Sequence, residues 1–83
     1  MRELLDAIAE HAERLRHSRR GIAEFALRQR AHLHSRLEAA GRIESAALRD
    51  MTARALEAQA AALLDELGRL SAPAPGTESY AHG

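Results

Sequence analysis

The stretch from Leu37 to Ser45 most constrains how this chain can fold, because one apolar helical pattern runs into it and a second runs out of it. Gly41 at its centre is the residue type best able to adopt the left-handed conformation that ends many helices. The Ser45 hydroxyl is suited to cap the first turn of a following helix. The stretch therefore predicts the corner of an antiparallel helical hairpin.

The composition favours an all-α fold. The chain has 83 residues with one Phe, one Tyr, no Trp and no Cys, so a β-sandwich core and a disulfide are both excluded. Ala, Leu, Arg and Glu dominate, and these residues are strong helix formers. A single domain of this size has a marginal core. We therefore expect a homodimer or a helical protein partner to complete it.

The first helix is predicted over residues 2–40, where apolar positions recur at spacings of three and four residues, as in a coiled coil. Gly21 lies inside this pattern, and a glycine in a helix interior costs about 1 kcal/mol. A break at Gly21, giving three helices, is the alternative. The pattern keeps its phase across Gly21, which favours one long helix. Its seam comprises Met1, Leu4, Ile8, His11, Leu15, Ser18, Ile22, Phe25, Gln29 and His32, with Leu5, Ala12, Ala26, Leu33 and Ala40 on one shoulder.

The second helix is predicted over residues 45–70. Its stripe comprises Leu48, Thr52, Leu56, Gln59, Leu63, Leu67 and Leu70, with Met51 and Ala55 beside it. Beyond it, Pro73 and Pro75 stop any helix and favour extended backbone. The sequence thus predicts a hairpin domain over residues 1–70 and a flexible tail over residues 71–83.

The two predicted helices differ in length, so the hairpin leaves an overhang. Folding at the turn places residue n opposite about residue 85 − n, and the second helix then ends near Leu15. Residues 1–14 project beyond it with an uncovered apolar stripe, which is typical of an interaction surface. The predicted protein interface comprises Leu4, Leu5, Ile8, Ala12 and Leu15.

A basic stretch over residues 14–36 suggests a second kind of partner. Its possible nucleic-acid contacts are Arg16, Arg19, Arg20, Arg28 and Arg30. These arginines spread around the helix, and no aromatic platform accompanies them. Residues 44–66 lean acidic, so charge complementarity between helices explains the asymmetry equally well. Binding of RNA or DNA is therefore the alternative function.

No pattern points to catalysis. The chain has no nucleophile–base pair and no glycine-rich phosphate loop, so we expect no enzymatic activity and no cofactor. Glu10, Glu13 and His17 lie close in sequence, but di-iron bundles use a Glu-x-x-His spacing that is absent here. A metal-binding bundle is the third possibility. With no apolar run of about 18 residues and no signal peptide, we expect a cytoplasmic protein without a membrane segment.

The turn and the two apolar stripes, over residues 15–70, resemble two groups of helical hairpins. One is the small co-chaperones of type III secretion, whose likeness implies a protein partner. The other is the plasmid copy-number proteins that dimerise into four-helix bundles, whose likeness implies RNA binding. Both likenesses rest on layout, so no functional residue is transferred. The sequence predicts a non-enzymatic helical interaction module of adaptor or co-chaperone type.

Overall fold

The computed structural model of the protein describes residues 1–71, which form three packed α-helices. Helix α1 spans Arg2–Leu15, α2 spans Arg20–Ala40 and α3 spans Ala46–Ser71. No strand occurs among these residues, so the predicted all-α class is confirmed. The predicted single helix over residues 2–40 is wrong, and the three-helix alternative is the observed one.

The break between α1 and α2 lies at residues 16–19, just before Gly21, where the three-helix alternative placed it. Arg19 is the residue that leaves the helical region, with φ −139° and ψ 63°, while its N–H donates to the Leu15 carbonyl at 2.8 Å. Gly21 is already the second residue of α2. Local helix propensity does not explain this break. The cost of interrupting the helix is offset by the burial of α1, because each large apolar side chain removed from water stabilises the fold by about 1.5–3 kcal/mol.

The connection between α2 and α3 lies where the sequence placed the turn. The Ser45 hydroxyl accepts a hydrogen bond from the Leu48 N–H at 3.3 Å, which confirms the predicted cap. Gly41 does not take the expected left-handed conformation: its φ is −63° and its ψ is −17°. The chain leaves α2 in a right-handed turn, in which the Arg42 and Ile43 N–H groups each donate to a carbonyl three residues earlier at 3.1 Å.

The core runs along the axis between the three helices. It is rich in alanine, which lets helices approach closely. In α1 and α2 the core contains Ile8 and Leu15 of the predicted seam and the five residues of the predicted shoulder. Phe25 and His32 of the predicted seam are exposed. The buried residues are Leu5, Ile8, Ala12, Leu15, Ala23, Ala26, Leu33, Ala40, Leu56, Ala60 and Leu67.

Helix α1 runs antiparallel to α2 and packs against both other helices. Its first turn lines a cleft with His34 and Leu37, and its last turn lines one with Arg20 and Ala23. The N-terminal end of α1 therefore lies short of the turn between α2 and α3. The turn end of the hairpin is left uncovered by α1.

The start of α3 projects beyond the end of α2. Ala40, the last residue of α2, lines one groove with Thr52 and Leu56, so it lies about level with these residues and not with Ser45. No residue from 46 to 55 is buried, whereas Leu56 is. The overhang of the hairpin is thus the start of α3, and the predicted overhang of residues 1–14 is wrong.

The predicted tail over residues 71–83 begins inside the last helix, since Ser71 is the final residue of α3. The remainder of that prediction lies outside the described residues.

Candidate helix-docking surface

The five residues predicted as a protein interface belong to the core of the three-helix unit. Ile8 is 0% exposed, and Leu5, Ala12 and Leu15 are also buried, while Leu4 is partly buried against them. Helix α1 folds back onto α2 and α3 and covers this stripe within one chain. These side chains therefore stabilise the bundle, and a docking surface must be sought elsewhere.

The predicted nucleic-acid contacts do not form one surface. Arg30 points at α1, where its Nε donates to the Leu5 carbonyl at 2.9 Å and its guanidinium lies 3.9 Å from Asp6. Arg28 is exposed, and residues two apart diverge on a helix, so Arg28 and Arg30 face different directions. One face of α2 does not present both side chains to a nucleic acid.

The other three arginines of that set lie together at the connection between α1 and α2. Arg16 is 3.3 Å from Glu13, and Arg20 is 3.1 Å from Glu24. Arg19 is exposed and has no ion-pair partner among residues 1–71. Paired carboxylates thus offset much of the positive charge here, which weakens attraction to phosphate.

A cleft of about 410 Å³ lies between the end of α1 and the start of α2. Its floor is apolar, from Ala12, Ala23 and Leu27, and its rim holds the ion pairs just described. A small-molecule site needs polar groups that converge on a ligand. The charged side chains of the rim bind one another, so this cleft lacks polar groups that converge on a ligand.

Residues 1–71 contain no group of three His, Asp or Glu side chains placed to hold a metal ion. The Glu10 and Glu13 carboxylates instead face Arg14 and Arg16, and all four side chains are exposed. Nor is any helix of these residues both long and apolar enough to cross a membrane.

An exposed apolar stripe runs along α3, apart from Phe25 and Leu27, which are the large exposed apolar residues of α2. Its members recur at spacings of three, four, three and four residues, the heptad pattern of a helix that packs on another helix. All are exposed, and the large ones strongly so: Leu48 is 55% and Met51 is 64% exposed. This α3 stripe comprises Leu48, Met51, Ala55, Ala58 and Ala62.

A groove of about 380 Å³ adjoins the α3 stripe at the turn end of the hairpin. The Thr52 hydroxyl in its wall donates to the Leu48 carbonyl at 2.8 Å, so this polar group is satisfied within the helix. Leu48 and Met51 lie one turn of α3 from the groove. The groove, here called the turn-end groove, is lined by Arg36, Ala39, Ala40, Ile43, Thr52, Ala55, Leu56 and Gln59.

The charged residues of α3 that border the α3 stripe are paired within the chain, and the exposed Arg36 of α2 lines the adjoining groove. Asp50 is 3.0 Å from Arg54, and Arg69 binds both Asp65 and Glu66, at 2.7 and 2.8 Å. The stripe itself carries no charge, and Asp65 ends it at the next heptad position. An approaching helix therefore meets an apolar strip whose α3 borders carry paired charges, with Arg36 in the groove beside Ala55.

Sequence reasoning missed this stripe although its spacing is visible in the sequence. Helix α3 is apolar on much of its circumference, and the pattern assigned Leu48 to the buried side with Thr52 and Leu56. The structure buries Leu56 and Leu67 of that predicted stripe, together with Ala60, but leaves Leu48 exposed. Because α1 packs on one face of α3, the apolar stripe on the other side of α3 stays exposed.

Comparison of this chain with protein-family models, curated proteins and solved structures found no match.

Proposed function

We propose that this chain is a non-enzymatic helical protein–protein interaction module, of adaptor or co-chaperone type, that docks a helix on the α3 stripe. The observation that carries the proposal is the uncovered heptad spacing of Leu48, Met51 and Ala55 on a helix whose opposite face is already packed. Laying an apolar helix face onto such a surface is a recurrent mode of recognition.

The energetics of the two large side chains support this use of the stripe. Full burial of Leu or Met is worth about 1.5–3 kcal/mol, and Leu48 and Met51 still expose 55% and 64% of their surface. Covering them contributes about 1–2 kcal/mol each by the same scale. The alanines that follow let a partner helix approach closely along the rest of the stripe.

The proposal is tested with a charged double variant of the stripe, Leu48→Asp with Met51→Asp. The matched control places Asp at Ala31 and Ser35, which are exposed on α2 away from the stripe. Both variants are first checked for helix content by circular dichroism, because neither alters a buried residue.

Wild type and both variants are then used to capture proteins from the native host, and each captured protein is purified for a direct measurement of Kd. We expect a partner that binds wild type and the α2 control but loses roughly two orders of magnitude in affinity for the stripe variant. Equal binding of all three forms by every partner, including further copies of this chain, would refute the α3 stripe as the docking surface.

A further inference from the structure

We infer that the occupant of the α3 stripe is the same stripe of a second copy, packed antiparallel about a two-fold axis at Ala55. This inference rests on the proposed function, because it names the helix that docks there. A two-fold interface must be self-complementary, since the same patch is used by both subunits. The α3 stripe meets this requirement in side-chain size, in charge and in access.

The side chains of the stripe are large at one end and small at the other. Leu48 and Ala62 lie seven residues to either side of Ala55, which is about 10 Å along a helix. Antiparallel packing about Ala55 therefore sets Leu48 against the partner's Ala62, and Met51 against the partner's Ala58. Large side chains then meet small ones on both sides of the axis, where Ala55 meets the partner's Ala55, whereas parallel packing sets Leu48 on Leu48 and leaves the alanines facing a gap.

Electrostatics permits two copies to meet on this face. The stripe is uncharged, its bordering carboxylates are bound to Arg54 and Arg69, and the net charge of the chain is zero. Antiparallel α3 helices also place opposite ends of their dipoles side by side, which is favourable. Neither local nor overall charge therefore opposes self-association, and no particular acidic or basic partner is selected.

The projection of α3 gives the second copy access. Residues 46–51 extend past the end of α2 and are all exposed, so a second helix reaches Leu48 and Met51 without displacing α1. The contact covers about 15 residues of one helix, or about 21 Å. Such a contact buries less than the ~800 Å² per partner of a standard interface, so the geometry points to a reversible dimer.

Cysteine cross-linking tests the two-fold axis, because the chain has no cysteine of its own. Ala55→Cys places two thiols at the axis, where close Cβ atoms permit a disulfide. Ala61→Cys is the control: it is exposed on the same helix but lies about 120° around from Ala55. We expect oxidation to link Ala55→Cys at least ~10-fold faster than Ala61→Cys, and equal rates would overturn the inference.

The direction of packing is tested with a mixture of Leu48→Cys and Ala62→Cys chains, one of them isotopically labelled. Antiparallel packing predicts that mixed disulfides prevail over the two symmetric ones in the mass spectrum. A parallel pair predicts symmetric disulfides, and unspecific collision predicts a statistical mixture. Either of the last two outcomes would overturn the inference.

Analytical ultracentrifugation of the uncross-linked chain supplies an independent measurement. We expect wild type and Ala61→Glu to dimerise with the same Kd, and Ala55→Glu, which places two carboxylates at the axis, to dimerise roughly 100-fold more weakly. A wild-type chain that stays monomeric up to about 1 mM would overturn the inference. The proposed function would then survive only if another captured protein loses affinity for the Leu48→Asp, Met51→Asp variant, so the two failures are distinguishable.

Discussion

Replacing Ile8 with alanine tests whether α1 is an integral part of the core. Ile8 is 0% exposed and is one of the largest fully buried side chains of the bundle. The substitution removes about three carbon atoms at ~0.8 kcal/mol each, or ~2.4 kcal/mol, before the cavity is counted. Measured losses for such substitutions are about 2–5 kcal/mol. A domain of this size has a free energy of unfolding of roughly 4–10 kcal/mol, so Ile8→Ala should lose a large part of it.

The assay is urea unfolding followed by far-ultraviolet circular dichroism, because the chain has no Trp for fluorescence. The control is Leu48→Ala, which truncates a side chain that is 55% exposed and should change the monomer by less than ~1 kcal/mol. Both are measured at low protein concentration, where self-association does not contribute. If Ile8→Ala costs no more than the Leu48 control, α1 does not pack on the hairpin, and residues 1–14 project as the sequence first suggested.

Three further outcomes are expected. Gly68→Ala should raise the free energy of unfolding by up to ~1 kcal/mol, since an added Cβ meets nothing within 4 Å and the site is inside a helix; a lower thermal midpoint would contradict this. Ser45→Ala should lose about 1 kcal/mol in urea unfolding, because it removes the cap of α3, and an unchanged midpoint would show that the cap contributes nothing. The chain should show no saturable binding of RNA or DNA at about 0.15 M salt, and salt-dependent binding that is lost on changing Arg19 and Arg20 to Ala would restore the nucleic-acid alternative.

The all-α class, helix α3 and the position of the turn were predictable because they depend on local chemistry. Helix-forming composition and the three–four spacing of apolar residues give the all-α class. The Ser45 cap depends on a hydroxyl directly before an apolar run, which is readable from sequence. The conformation of Gly41 was not predictable, because glycine permits a left-handed turn but does not require one.

The break between α1 and α2 depends on long-range packing, so the sequence pattern favoured one continuous helix there. The apolar pattern crosses residues 16–19 without losing phase, and local propensity allows a helix on both sides. What decides the matter is that Leu5, Ile8 and Leu15 are buried only if the chain reverses there. That gain is visible only when all three helices are considered together.

Predicted and observed surfaces differ for a connected physical reason. Each helix of a three-helix bundle buries one stripe, and apolar side chains outside those stripes, such as Leu48 and Met51, stay exposed. The reversal of the chain before α2 buries the apolar stripe of residues 1–14. The apolar stripe that stays exposed comprises Leu48, Met51 and the alanines after them. We therefore propose the docking face on α3 and not on residues 1–14, because the fold decides which apolar stripe of the sequence is covered.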